Sequence, residues 1–374
     1  MIFFVFAGVI PIDLAFVIQK LVSLGWFTLA SYNRALENFK FSSEEKKSRP
    51  QSVPDKAKKL KGKAISHWIH IRNFPLILML NGWVKDSDNP VLRLGIKLNE
   101  LTELVMAERL QSYELDEIEE STKNYLDFRM KLLDNYEIET IKPKHHFVTH
   151  VKVGLGCTSK VKYIDYLFPQ FQENVYKFGP SRATWTALYE TKHRQVKKIV
   201  ENSKNFKNIS MTVATRHQFR MSSKFYTGLY QSDSDFVLPL KVLSCEDIRK
   251  TKENEEKSLL RFCAHDDLLT REINFKSRTY KKENLLVLRK SHLSFFEVGI
   301  IKLFIIRGKD IQIIVDVFDV ERTVLNVYEA VCGSKETRII RFSDLPDCYP
   351  LYRHGNDSSF KFVHHHHVSP CLDD

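Results

Sequence analysis

The hydrophobic pattern of this chain changes its period between the first half and the last third. Apolar residues recur every three or four positions within 91–109 and 113–135, which predicts two amphipathic helices. After a polar break, β-branched runs separated by short turns predict four strands, at 285–288, 298–306, 311–320 and 325–331. We therefore expect an α+β protein with a mainly helical N-terminal half and a small C-terminal β-sheet or barrel.

The first residues form an apolar stretch, Ile2–Ile18, which could be a signal, a membrane span or a buried helix. A secretory signal carries a base before its apolar core, and none precedes Lys20. A membrane span needs about 20 apolar residues, and Asp13 near the middle would cost it several kcal/mol. We therefore expect a buried helix over 10–24 that stops at Gly25, and no membrane as partner.

Two more helices are predicted on either side of a basic segment. Residues 28–38 form a helix capped by Thr28, and the apolar run 64–83 is expected to be a buried helix bent at Pro75. Between them, 42–63 is rich in Ser, Pro and Lys and carries eight bases. This composition predicts a linker or exposed loop.

Charge and cysteine content narrow the classes of function. Lys and Arg number 57 against 46 Asp and Glu, a surplus of 11 that favours a polyanionic partner. Six scattered cysteines without a CxxC pair indicate neither a disulfide framework nor a zinc ribbon, and they fit a reducing compartment. The sequence also lacks a Walker loop, a dinucleotide fingerprint, HExxH and GxSxG.

Most of the surplus charge lies in one segment, 192–224, where Glu201 is the only acid. On a helix, Val196 and Ile199 would face the core while the neighbouring bases face elsewhere. Either a solvated helix surface or a contact with DNA phosphates explains such a segment. Its nine bases are Lys192, Arg194, Lys197, Lys198, Lys204, Lys207, Arg216, Arg220 and Lys224.

Two groups of histidines offer metal-binding chemistry. The first combines Glu190 with His145, His146, His150 and His193. These residues lack the close pair spacing of known zinc sites, so histidines that pack or form hydrogen bonds are the alternative. The second group is the run His364–His367, in which strand alternation would put His364 and His366 on one face, enough for weak metal binding.

A longer string of residues is similar to a known family. In chain order it reads Lys142-Pro-Lys-His-His-Phe, His150, Phe178-Gly-Pro, Trp185-Thr, Tyr189-Glu-Thr-Lys-His193, Lys204-Asn-Phe-Lys-Asn208 and Arg216-His-Gln218. This string resembles the C-terminal half of animal CACTA-type (En/Spm) DDE transposases and of host proteins derived from them. Weaker similarities flank it, at Gly8-Val9-Ile10-Pro11, Trp26-Phe27-Thr28-Leu29 and Asp347-Cys-Tyr-Pro-Leu-Tyr352.

The resemblance implies an RNase H-like transposase fold with a helical insertion and a small β-domain. The expected regions are a helical region at 1–140, a motif-bearing region with a basic helix at 141–230, and a β-rich domain at 231–374. In that family three carboxylates hold two Mg²⁺ or Mn²⁺ ions for DNA strand transfer. Glu190 matches the third, catalytic and metal-binding carboxylate; alternatively, it is a structural partner of Lys192 or Arg194.

The resemblance also implies DNA binding by bases of the segment 192–224. The family's first two aspartates should precede the helical insertion, and Asp13 stands in for neither of them. We therefore expect a truncated, transposase-derived nuclear protein that binds DNA and performs no strand transfer alone. The alternative is a host interaction protein, nuclear or cytoplasmic, that binds RNA or an acidic protein without enzymatic activity.

Overall fold

The structure is a computed structural model of the whole chain, and it combines helices with antiparallel β-sheets. It describes residues 2–42, 45–107, 112–136, 196–202, 208–226, 236–237, 242–251, 253–275, 278–290, 295–307, 310–330, 336–345, 350–356 and 359–363. The predicted helical N-terminal half and β-rich C-terminal part are confirmed at this level.

Five α-helices are described in the N-terminal part, and each of them overlaps a predicted helix. They are α1 (Ile2–Ser23), α2 (Leu29–Asn38), α3 (Ala64–Leu80), α4 (Pro90–Val105) and α5 (Ser112–Tyr136). The prediction for the first helix was wrong at its start, because α1 begins at Ile2 rather than at residue 10. No helix within the described residues has the length and apolarity that a membrane crossing requires.

The turn between α1 and α2 is specified by local sequence. Gly25 has a φ of +70°, and its N–H donates to the carbonyl of Val22 at 2.9 Å while Trp26 N–H donates to Leu21 at 3.1 Å. This pair of bonds is the glycine-dependent helix stop that the sequence predicts. Thr28 then caps α2 by accepting from the N–H of Ser31 at 3.1 Å.

The helices pack around one apolar core that includes most of α1, α3 and α4. Leu14, Ile18 and Phe74 are completely buried there. Gly95 on α4 permits a close approach, because a Cβ at this position would lie 3.1 Å from the ring of Phe74 and 3.3 Å from Val17. The buried residues of α1 between Val9 and Leu21 therefore belong to the core of this helical unit.

The C-terminal part is built on a long antiparallel hairpin of β6 (Phe295–Arg307) and β7 (Asp310–Arg322). The other strands are β1 (Phe236–Val237), β2 (Leu268–Thr270), β3 (Glu272–Phe275), β4 (Arg278–Lys281), β5 (Leu285–Lys290), β8 (Tyr328–Ala330), β9 (Glu336–Arg341), β10 (His354–Asn356) and β11 (Ser359–Phe362). The main sheet runs β10-β11-β8-β7-β6-β2 and is curled, with β5 beside β6 and β9 beside β7. A smaller sheet runs β1-β3-β4.

Three further α-helices are described after α5 in the chain, together with a short helical segment. They are α6 (Ile209–Tyr226), α7 (Cys245–Arg249) and α8 (Asn254–Leu259), and residues 196–202 are also helical. Ile248 of α7 and Leu259 of α8 pack on Leu303 and Ile305 of β6. These short helices therefore close one face of the curled sheet.

One contact between the β-rich part and the helical part is made by the β7–β8 connection. The prediction of one strand over 325–331 was wrong, because β8 begins only at Tyr328. Asn326 has a φ of +61° and donates from Nδ2 to Asn99 Oδ1 of α4 at 2.9 Å, while Leu325 is buried in the helical core. Because Leu325 and Asn326 contact the helical part, they do not form the strand that the β-branched pattern predicts.

Candidate nucleic-acid interface

The C-terminal end of the predicted DNA-binding segment is an exposed helix, α6, that begins after Asn208. The Asn208 side chain accepts from the N–H of Met211 at 3.4 Å, and its carbonyl accepts from the hydroxyl of Thr212 at 3.0 Å. Asn208 is also the last residue of the Lys204-to-Asn208 string. Its position in the structure gives it a local role, the cap of this helix.

No side chain that the structure describes within 196–202 or 208–226 is buried. Val196 and Ile199, expected to face the core, are half-buried, and Lys197 and Lys198 beside them are exposed as predicted. The sequence pattern therefore places the bases outward correctly. The pattern overstates the burial of Val196 and Ile199, which are only half-buried.

The face of α6 combines bases with aromatic rings. Arg216 and Arg220 are exposed, and the sequence from 208 to 226 contains no acid. Phe219 is 71% exposed and Tyr226 is 93% exposed. Phe219 follows Arg216 by three positions and precedes Tyr226 by seven, so the three side chains share one side of the helix.

This mixed face was missed by sequence reasoning, which counted the bases of the segment and not its aromatic residues. Aromatic residues at helical spacing are ordinarily core residues, since most buried helices show that pattern. Only their exposure distinguishes Phe219 and Tyr226 from a packed stripe. The arrangement can attract phosphates through its bases and stack on planar groups through its rings.

Several predicted site residues lie outside the described residues. This group holds Glu190, Lys192, Arg194, Lys204, Lys207, His145, His146, His150, His193 and His364–His367. Of the predicted DNA-binding residues, Lys197, Lys198, Arg216 and Arg220 are described, and all four are exposed. Among the described residues, no three His, Cys, Asp or Glu side chains lie together so that they could hold a metal ion.

Buried polar groups in the helical unit stabilise the fold. Glu103 accepts from Arg72 Nε at 2.9 Å and from the indole N–H of Trp68 at 3.0 Å, with all three side chains buried. Burial lowers the pKa of His70 to about 3, so the imidazole is neutral, and its Nε2 lies 2.9 Å from the hydroxyl of Tyr32. These groups are enclosed by the core, and they give no access to a ligand.

Comparison with known proteins identifies no relative of this chain. No family model, curated protein or solved structure matches the chain. The similarity to CACTA-type transposases stays a prediction that depends on the quoted string. Within the described residues, the part of that string from Arg216 to Gln218 lies on α6, with Arg216 and Gln218 exposed.

Proposed function

We propose that the protein binds DNA through the bases of the segment 192–224, as a transposase-derived nuclear protein. The observation that supports this most is the exposure of Lys197, Lys198, Arg216 and Arg220. The described helical residues of this segment contain a single acid, Glu201. The proposal includes an RNase H-like fold for the motif-bearing region 141–230.

The physical basis is the release of counterions from DNA. Log affinity falls linearly with log salt concentration. Each Lys or Arg that neutralises a phosphate of duplex DNA adds about −0.9 to this slope. A fourfold rise in salt should therefore weaken binding about 3.5-fold for each contact. Four exposed bases are enough for a salt dependence that is easily measured.

An acidic protein or RNA is the alternative partner. The exposed rings of Phe219 and Tyr226 favour a nucleic acid over an acidic polypeptide, because bases have planar faces on which rings stack and acidic side chains do not. RNA shares this property with DNA. The transposase resemblance is what favours DNA.

Fluorescence anisotropy on the purified full chain can separate these partners. The probes are a labelled DNA duplex, a labelled RNA hairpin and labelled polyglutamate, each at about 50 and 200 mM salt. We expect the tightest binding to DNA and a steep loss at the higher salt. Equal or tighter binding to RNA or to polyglutamate would contradict the proposal.

A further inference from the structure

A second basic surface lies on the connection between α2 and α3, within residues 45–63. From Lys46 to Lys63 this segment holds eight bases and one acid, Asp55. All eight bases are exposed, and they are Lys46, Lys47, Arg49, Lys56, Lys58, Lys59, Lys61 and Lys63. Residues 46–63 therefore carry a net charge of 8 − 1 = +7. We call residues 45–63 the basic loop.

The basic loop is held against the helices at several points. Val53 N–H donates to Asn33 Oδ1 at 2.8 Å, and the Asn33 amide returns a bond to Val53 O at 3.0 Å. Leu60 N–H donates to the carbonyl of Pro11 on α1 at 2.8 Å. Val53 and Leu60 are both buried in the helical core. Of the two predicted alternatives, a linker or an exposed loop, residues 45–63 show an exposed loop, and its backbone is anchored to the helices.

The acid at the start of the basic loop does not offset its charge. Glu45 points toward α3, where Oε1 lies 3.9 Å from Arg72 Nη1 and accepts from Asn73 Nδ2 at 3.2 Å. Its other oxygen accepts from the N–H of Ser42 at 3.1 Å. The carboxylate is consequently only 14% exposed. Asp55 is thus the one exposed acid of the basic loop.

We propose that the basic loop is a second DNA-binding surface, which contacts the phosphate backbone of a duplex. The inference rests on the proposed function for the identity of the partner, but it uses different residues. Lysine presents a compact charge that suits single phosphates without reading sequence. Anchoring by Val53 and Leu60 lowers the ordering cost of binding, because the backbone is fixed beforehand.

The surface chemistry of the basic loop excludes other occupants. Among the described residues, none of the exposed large apolar side chains belongs to 45–63. A membrane-inserting segment or a groove for an apolar peptide would present such side chains. The absence of exposed aromatic rings also distinguishes this surface from the face of α6, where rings and bases alternate.

Three variants with equal charge changes test the inference on the full chain. The loop variant carries Lys47→Gln, Lys59→Gln and Lys61→Gln, and the helix variant carries Lys197→Gln, Lys198→Gln and Arg216→Gln. The control variant carries Lys123→Gln, Lys250→Gln and Lys257→Gln. Because all nine side chains are exposed, thermal unfolding should change little in any variant.

Duplex DNA affinity is then measured at about 50 and 200 mM salt. We expect the loop variant to bind duplex DNA more weakly than the control variant. Its loss of affinity between the two salt concentrations should be about 3.5-fold smaller for each phosphate that the basic loop no longer neutralises. Equal affinity and equal salt dependence of the loop and control variants would overturn the proposal of a second DNA-binding surface. Equal behaviour of the helix and control variants, with a weakened loop variant, would instead contradict the assignment to 192–224 and support the basic loop.

Discussion

Arg129 Nε donates to Asp13 Oδ2 at 2.8 Å, and the two side chains, on α5 and α1, are only 3% and 2% exposed. Tyr125 also donates to this carboxylate from its hydroxyl group. Burial raises the pKa of Tyr125 well above its usual value, so the hydroxyl keeps its proton. The acid that argued against a membrane span is thus the centre of a buried ion pair.

Replacing Asp13 should destabilise the protein strongly. Asp13→Ala leaves the Arg129 charge buried without its partner, which typically costs about 3–5 kcal/mol of unfolding free energy. Urea denaturation followed by circular dichroism measures this loss. Asp88→Ala is the control, because the Asp88–Arg93 pair at 3.2 Å is solvent-exposed and is expected to be worth about 0–1 kcal/mol. Similar losses in both variants would contradict the interpretation.

Stability should fall when the pH drops below about 6.5, the ordinary pKa of histidine. Burial lowers the pKa of His70 to about 3, so the unfolded chain binds a proton that the folded chain refuses. This single group should remove about 1.4 kcal/mol for each pH unit between 6.5 and 3. Above a pH of about 6.5, the His70 side chain no longer lowers the free energy of unfolding.

The pH dependence of urea denaturation measures this effect. In His70→Gln the slope between pH 6.5 and 4.5 should be smaller than in the unmodified chain, because the buried titrating group is gone. His265→Gln removes an exposed histidine and provides the matched comparison. An unchanged slope in His70→Gln would argue against the burial of a neutral imidazole.

The exposed rings of α6 should matter for single strands. Phe219→Ala combined with Tyr226→Ala should weaken binding of single-stranded DNA by about 1–3 kcal/mol for each stacked base, and it should affect duplex binding much less. Anisotropy with a single strand and its duplex compares the two. Met211→Ala, which removes a 64% exposed apolar side chain, is the control. Equal losses on both substrates would show that the rings do not stack.

Strand transfer by this chain alone is not expected. In the transposase resemblance, Glu190 matches only the third of the three carboxylates that together hold the two metal ions, and none of the quoted residues matches the other two. A nuclease assay on the purified chain with Mg²⁺ or Mn²⁺ should therefore show no turnover. Turnover that disappears in Glu190→Ala would refute this expectation.

The helices were predictable because their signals are local. Leu98 and Leu101 repeat at helical spacing, and Thr28 and Gly25 mark ends that the structure confirms. The partners of buried polar groups were not predictable in this way. Asp13 and Arg129 are 116 positions apart, so only the packed fold brings them together.

The candidate sites show the same division. Helical spacing was enough to predict that Lys197 and Lys198 are exposed. Composition predicted a linker or exposed loop at 42–63, but it did not predict how this segment is anchored. The N–H of Leu60 donates to the carbonyl of Pro11 on α1, and no local pattern indicates that contact. Phe219 escaped notice because a ring at helical spacing does not reveal whether another element covers it.

The most direct test of DNA binding by 192–224 is the salt dependence of the helix variant. Its plot of log affinity for duplex DNA against log salt should be shallower than that of the control variant by about 0.9 for each phosphate that is no longer neutralised. With three bases replaced, the account predicts a difference of up to about 2.7. Parallel lines with equal affinity for the helix and control variants would contradict it.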